Sequence, residues 1–144
     1  MRAVIQRVQR AAVVVDGETI GEISEPGLFV LVGVAHADGP AEVEFIARKI
    51  ADLRLLEGEQ SVTDVGAPVL VVSQFTLLAD TRKGRRPSWS AAAAGGIAEP
   101  VVAQVVSALR ARGLTVATGQ FGAHMEIESI ADGPVTIVVD SSAP

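Results

Sequence analysis

The chain contains no cysteine and only two histidines, His36 and His124, among its 144 residues. The first absence removes disulfides, thiolate nucleophiles and zinc–cysteine sites together. The second leaves little material for general-base chemistry. His36 lies just past one apolar run and His124 begins another, positions that suit a structural or solvent-exposed role better than a catalytic one. A hydrolase triad needs a nucleophile, a base and a group to orient the base, and no G-x-S-x-G elbow is present to start one. There is no H-E-x-x-H, no carboxylate-rich metal cluster and no P-loop, and "GVAHADG" does not meet the G-x-G-x-x-G spacing. No metal and no cofactor are expected. Long apolar runs are missing too. The longest, "GLFVLVGVA", has the length of a strand rather than the ~18 residues of a membrane span. "MRAVIQRVQR" alternates apolar and basic residues and lacks the apolar region of a signal peptide. The expectation is a soluble, cytoplasmic protein with no membrane segment.

What is present is enough for a core. Apolar residues make up 49% of the chain and charged ones 20%, so a single folded domain over residues 1–144 is expected. The net charge of −5 argues against long-range attraction as the main hold on nucleic acid. That charge is uneven, because "TRKGRRPSW" packs Arg82, Lys83, Arg85 and Arg86 into one short stretch. One basic loop on an acidic body suggests a local phosphate contact, against the plainer reading of a solvated loop.

Periodicity gives the elements. Residues 2–8 alternate with a period of two, as a half-buried strand does. Asp16-Gly17 inside "AAVVVDGETIGEI" signals a hairpin, and "GLFVLVGVA" has no polar face, as a central strand covered on both sides. Val43, Ile46, Ala47, Ile50 and Leu53 follow a helical period with Pro40 in the first turn. "PVLVVSQF" reads as another buried strand. The stretch "LADTRKGRRPSWSAAAAGG" is the longest irregular one, and a second helix is predicted from about Pro100 to Arg112 with Gly113 as its stop. "LTVATGQF", "HMEIESI" and "PVTIVVD" read as three short closing strands. This order gives an α+β class, a layered β/β/α domain with two main helices.

Two details remain. Ser73 and Thr76 in "SQFTLL" follow a buried strand, where hydroxyls either bind a ligand or satisfy the backbone as the strand ends. Gly133-Pro134 in "IADGPVTIVVD" stands against a strand-like run although neither residue helps a sheet. It is either a turn before a strand or a backbone shape built to touch a ligand.

Taken together, "VVSQFTLLADTRKGRRPSW", "DGPVTIVVD" and the opening "IQRV" closely resemble the D-aminoacyl-tRNA deacylase family. The likeness extends through "RAVIQRVQRAAVVVDGETIGEI", "GLFVLVGV" and "TGQFGAHMEI", nearly the whole chain. The resemblance implies the three-layer β/β/α fold and an obligate homodimer with active sites at the subunit interface. It implies hydrolysis of D-aminoacyl-tRNA, with glycyl-tRNA also accepted and L-aminoacyl-tRNA rejected. Gly133 and Pro134 would be a Gly-cis-Pro pair projecting into the partner's pocket, with Val135 and Thr136 completing the motif and Arg7 holding it. Proline is the residue before which a cis peptide costs least, and glycine keeps a Cβ out of the way. The catalytic segment would be Ser73, Gln74, Phe75 and Thr76, beside the aminoacyl group and the terminal adenosine. Cleavage would be assisted by the 2′-OH of that adenosine, with Thr76 positioning the substrate and covalent attack by Thr76 as the alternative. Arg82, Lys83, Arg85 and Arg86 would meet tRNA phosphates. The chain departs from the family at Ala131, where asparagine is frequent, so a side-chain hydrogen bond bracing the Gly-Pro pair is either absent or supplied by another residue. Other readings are a same-fold deacylase of glycyl- or L-alanyl-tRNA, a noncatalytic RNA-binding or scaffold module, and a general esterase.

Overall fold

The computed structural model describes residues 1–143. Strand β1 (Arg2–Val15) turns through Asp16-Gly17, both at positive φ (50° and 79°), into β2 (Glu18–Ile23), as the hairpin signal predicts. β3 (Gly27–Gly33) lies antiparallel to the first half of β1 and parallel to β4 (Val69–Ser73), which is parallel to β5 (Val116–Thr118). The alternating faces of β3 and β4 explain their continuous apolar runs. Leu28, Val30, Val32, Val69 and Val71 pack toward the helices, while Phe29, Leu70 and Val72 join Val8, Val13 and Ile23 on the other side. Two cores separated by one sheet make the β/β/α layering.

Helix α1 (Pro40–Asp52) starts where Pro40 was expected, with the Gly39 N–H donating to the Glu42 carboxylate at 2.8 Å. It buries Val43, Ile46, Ala47 and Ile50. A short helix, α2 (Val62–Val65), forms inside the stretch read as a polar loop, because Ser61 and Asp64 cap one another and Val62 is buried. Helix α3 (Gly95–Ala111) begins five positions before the predicted Pro100, which therefore lies inside it. Burial of Ala98 and Val101 against the core offsets the backbone hydrogen bond that Pro100 cannot make. No helix among the described residues is long and apolar enough to cross a membrane.

The last strands differ from expectation. "HMEIESI", from Glu126 onward, and "PVTIVVD" belong to one strand, β6 (Glu126–Asp140), antiparallel to β1 along almost its full length. Gln6 pairs with Thr136 and Val8 with Ala131, so two steps on β1 are matched by five on β6. The surplus residues carry Gly133-Pro134 out of the ladder as a bulge, where a missing N–H costs no pairing.

Candidate active site

A cavity of about 380 Å³ opens where β4 ends. One wall is Ser73, Gln74 and Phe75, another is the start of α3 with Gly95, Ala98 and Val102, and a third is the connection from Phe121 to Met125. The chain leaves β4 at Gln74 (φ −148°, ψ 83°), whose N–H still donates to the Val32 carbonyl at 2.8 Å. It then coils into a 3-10 turn, Phe75–Leu78. That turn sits directly on Gly33, where a Cβ would come within 2.4 Å of Leu78 Cδ2 and 2.9 Å of the Gln74 carbonyl oxygen. The Phe75 and Thr76 N–H groups open the turn and have no backbone acceptor among the described residues outside it.

The predicted catalytic segment divides here. Ser73 is half-buried and lines both this cavity and a second one of about 290 Å³ against α3. Phe75 is exposed at the first cavity's wall. Thr76 is absent from that wall, and its hydroxyl accepts a short hydrogen bond from the Gln74 side-chain amide. His124, taken from sequence as structural or exposed, is exposed and also lines the cavity. Phe121 and Met125 line both cavities, and sequence reasoning assigned neither a role. Their signal was an aromatic followed by glycine in "TGQFGAHMEI", a segment that entered the family likeness without a role for either residue.

The second group of predicted residues surrounds the β6 bulge. Gly133-Pro134 is a cis peptide, and both residues are exposed. Gly133 has φ +122°, and a Cβ there would meet Arg7 Nη2 at 2.9 Å and Val135 Cγ2 at 3.0 Å. Arg7, the β1 residue opposite the bulge, donates from Nε to the Asp132 carbonyl at 3.2 Å and from Nη1 to the Leu55 carbonyl at 3.2 Å. Its Nε also lies 3.3 Å from the Asp132 carboxylate. Ala131 offers no side-chain hydrogen bond; the Arg7 guanidinium braces the segment, in the role the resemblance implies for it. Val135 is half-buried, and the Thr136 hydroxyl accepts from Gln6 Nε2 at 3.0 Å. Within one chain the bulge stays apart from the cavity, whose walls include Ile127 of β6 but neither Gly133 nor Pro134.

The basic residues form a third group. Asp80 and Ser88 exchange backbone hydrogen bonds of 2.7 and 2.9 Å, which closes an exposed loop carrying all four cations. Arg82 bonds through Nε and Nη2 to the Asp80 carboxylate at 2.9 and 2.6 Å. These bonds hold the Asp80 carboxyl down to about 2. Lys83, Arg85 and Arg86 have no ion-pair partner among the described residues.

The family model described as D-Tyr-tRNA(Tyr) deacylase matches residues 4–140. A D-aminoacyl-tRNA deacylase of Kineococcus radiotolerans is 62% identical over 98% of this chain and 100% of its own length. One from Beutenbergia cavernae is also 62% identical, with the same coverage. Among solved structures, the c-Myc DNA unwinding element binding protein superimposes with a TM-score of 0.92 at 39% identity, covering 99% of this chain and 100% of its own. A probable eukaryotic D-amino acid tRNA deacylase shares the fold at a TM-score of 0.83 and 15% identity, over 96% of this chain and 97% of its own. The class is therefore that of a hydrolase, an enzyme with an α+β fold. The chain belongs to the D-aminoacyl-tRNA deacylase family.

Proposed function

We propose that this enzyme hydrolyses the ester of D-aminoacyl-tRNA, releasing free D-amino acid and tRNA, and that it rejects L-aminoacyl-tRNA with backbone rather than side chains. The observation that carries the reading is the braced, exposed Gly133-Pro134 bulge standing outside the cavity of its own chain. A second copy brings the two together. β6 suits that pairing, with Ile127, Ile130 and Val138 all exposed. In the resulting homodimer the Gly133-Pro134 backbone of one subunit walls the cavity of the other. A wall of main-chain atoms beside Cα admits hydrogen and excludes an L side chain, so it reads handedness and ignores side-chain identity. Glycyl-tRNA, with no side chain at Cα, also enters.

Catalysis then rests on placement. The N–H groups of Phe75 and Thr76 are the donors available to a developing oxyanion, where each such donor contributes on the order of a hundredfold. Thr76, with its hydroxyl already engaged by Gln74, positions the substrate and does not attack it. The terminal 2′-OH of the tRNA assists departure of the ester oxygen, which accounts for a site without a side-chain nucleophile and base. Ser73 and Gln74 line the aminoacyl end of the cavity. Lys83, Arg85 and Arg86, with Arg82, contact acceptor-end phosphates. The substrate sets the place of work as the cytoplasm.

The test is deacylation of matched D- and L-tyrosyl-tRNA by the wild-type protein beside an enzyme-free control. Rapid loss of the D ester with the L ester spared is the expected result. Equal loss of both would overturn the backbone-wall reading, and loss of neither would leave a binding module.

A further inference from the structure

One aromatic pair on the surface has no part in either core. Phe75 is 57% exposed and Trp89 39% exposed, with ring centroids 5.7 Å apart and planes at 72°, edge to face. Phe75 lines the cavity and Trp89 does not, so the pair leads from the cavity wall outward. Trp89 directly follows Ser88, the residue that closes the basic loop. Trp89 therefore adjoins the loop that carries Lys83, Arg85 and Arg86, which no carboxylate among the described residues neutralises. On a chain with net charge −5, such a local cluster favours a polyanion at this place alone.

Exposed rings beside uncommitted cations, continuous with a pocket for a terminal residue, match the way single-stranded nucleic acid is held. Bases stack on the rings while cations follow the phosphates. The geometry points to Trp89 as the stacking platform for the unpaired nucleotide next to the terminal adenosine of the substrate RNA. This rests on the deacylase reading. Trp89 is a positioning residue: it fixes where the single strand enters, and the terminal adenosine and its ester lie beyond it at Phe75. The stack does not depend on base identity, because every base has a π face. It therefore supplies affinity for the acceptor end of any tRNA without choosing among them.

Trp89 is the only tryptophan, and the chain has no tyrosine, so indole emission reports on this ring alone. Two non-hydrolysable probes separate the subsites: adenosine carrying D-alanine in a 3′-amide linkage, and the trinucleotide CCA carrying the same group. The trinucleotide is expected to quench Trp89 emission well beyond the adenosine probe, and equal quenching by the two would overturn the proposal. On D-tyrosyl-tRNA, W89A should raise KM about tenfold with kcat within about twofold and the D/L preference unchanged, and W89F should recover most of the loss. On 3′-O-D-tyrosyl-adenosine, W89A should match the wild type. A loss shared by both substrates, or an unchanged KM on tRNA, would overturn it. So would a concentration-dependent blue shift of Trp89 emission without RNA, which would assign the ring to a contact between protein copies. If the wild type leaves D-tyrosyl-tRNA intact, the deacylase reading falls and takes this one with it. If the wild type is active and W89A equals it, only the stacking platform falls.

Discussion

The Gly133-Pro134 bulge and the Asp80–Ser88 loop are both exposed, yet they are held in opposite ways. The bulge is fastened at its root by one half-buried arginine reaching two carbonyls and a carboxylate on separate segments. The loop is closed by a backbone bridge, and among the described residues only Arg82 of its cations has an ion-pair partner. The difference fits the roles proposed for each. Discrimination at a chiral carbon requires atoms fixed to a fraction of an ångström. Attraction to phosphate needs charge within a Debye length, which long, solvated side chains supply without order. In this family member, long-range side-chain bracing is found at the backbone motif, while the one ion pair of the basic loop is local.

The sharpest way to break the comparison is to add one methyl group at the bulge. G133A places a Cβ 2.9 Å from Arg7 Nη2 on a backbone with φ +122°, a region L residues rarely adopt. The expected result is a fall in kcat/KM for D-tyrosyl-tRNA of about a hundredfold or more, with a collapse of the D/L ratio. An unchanged ratio would remove the motif from chiral selection. R7A should act less severely. It leaves the Asp132 and Leu55 carbonyls without their donor and costs roughly 1–3 kcal/mol of stability in a urea melt. R7K should recover little, since an ammonium cannot span the forked arrangement.

How far these regions can be read from sequence depends on how local their causes are. Asp16-Gly17, the period of α1 and the two-faced apolar run of β3 are short-range signals, and all three elements form as predicted. β6 was split in two because Gly-Pro is a local breaker, whereas the continuity of that strand comes from β1, more than a hundred residues away in sequence. The early start of α3 is likewise tertiary: a Gly-Gly entry and an internal proline are poor helix signals until Ala98 and Val101 meet the core. Phe121 and Met125 become cavity walls only once β5 and β6 are placed, and spacing carries no trace of that. The motif residues and Arg7 as their holder could be named through resemblance, but the partners of that guanidinium, the Asp132 and Leu55 carbonyls, required geometry.

The loop should respond by degree rather than all at once. Neutralising Lys83, Arg85 and Arg86 together with glutamine should raise KM for D-tyrosyl-tRNA about tenfold and flatten its dependence on salt, with kcat and chirality unchanged. If salt dependence persists in the triple variant, the phosphate contacts lie elsewhere.

The smallest effect tests the comparison through two carboxylates with the same acidity, Asp80 in the loop and Asp140 at the end of β6, both held at about 2. Burial alone would push the Asp140 carboxyl up, but hydrogen bonds from Ser142 and from Arg2, whose Nε lies at 2.8 Å, more than reverse it. The Asp140 side chain is 19% exposed, whereas that of Asp80 is 42% exposed with a partner, Arg82, at 86%. A carboxyl lowered on folding stabilises the fold above its ordinary unfolded value of about 4, and that stabilisation is lost as pH falls toward its folded value. D140N should therefore lower unfolding free energy at neutral pH by roughly 1–2 kcal/mol, with wild type and variant converging as pH falls from about 4 to about 2. D80N should leave the melting midpoint unchanged at every pH, because water and salt screen its pair in full view of solvent. Equal shifts for the two variants would mean that the loop is structurally committed after all, and its cations would then have to be regarded as part of the fold.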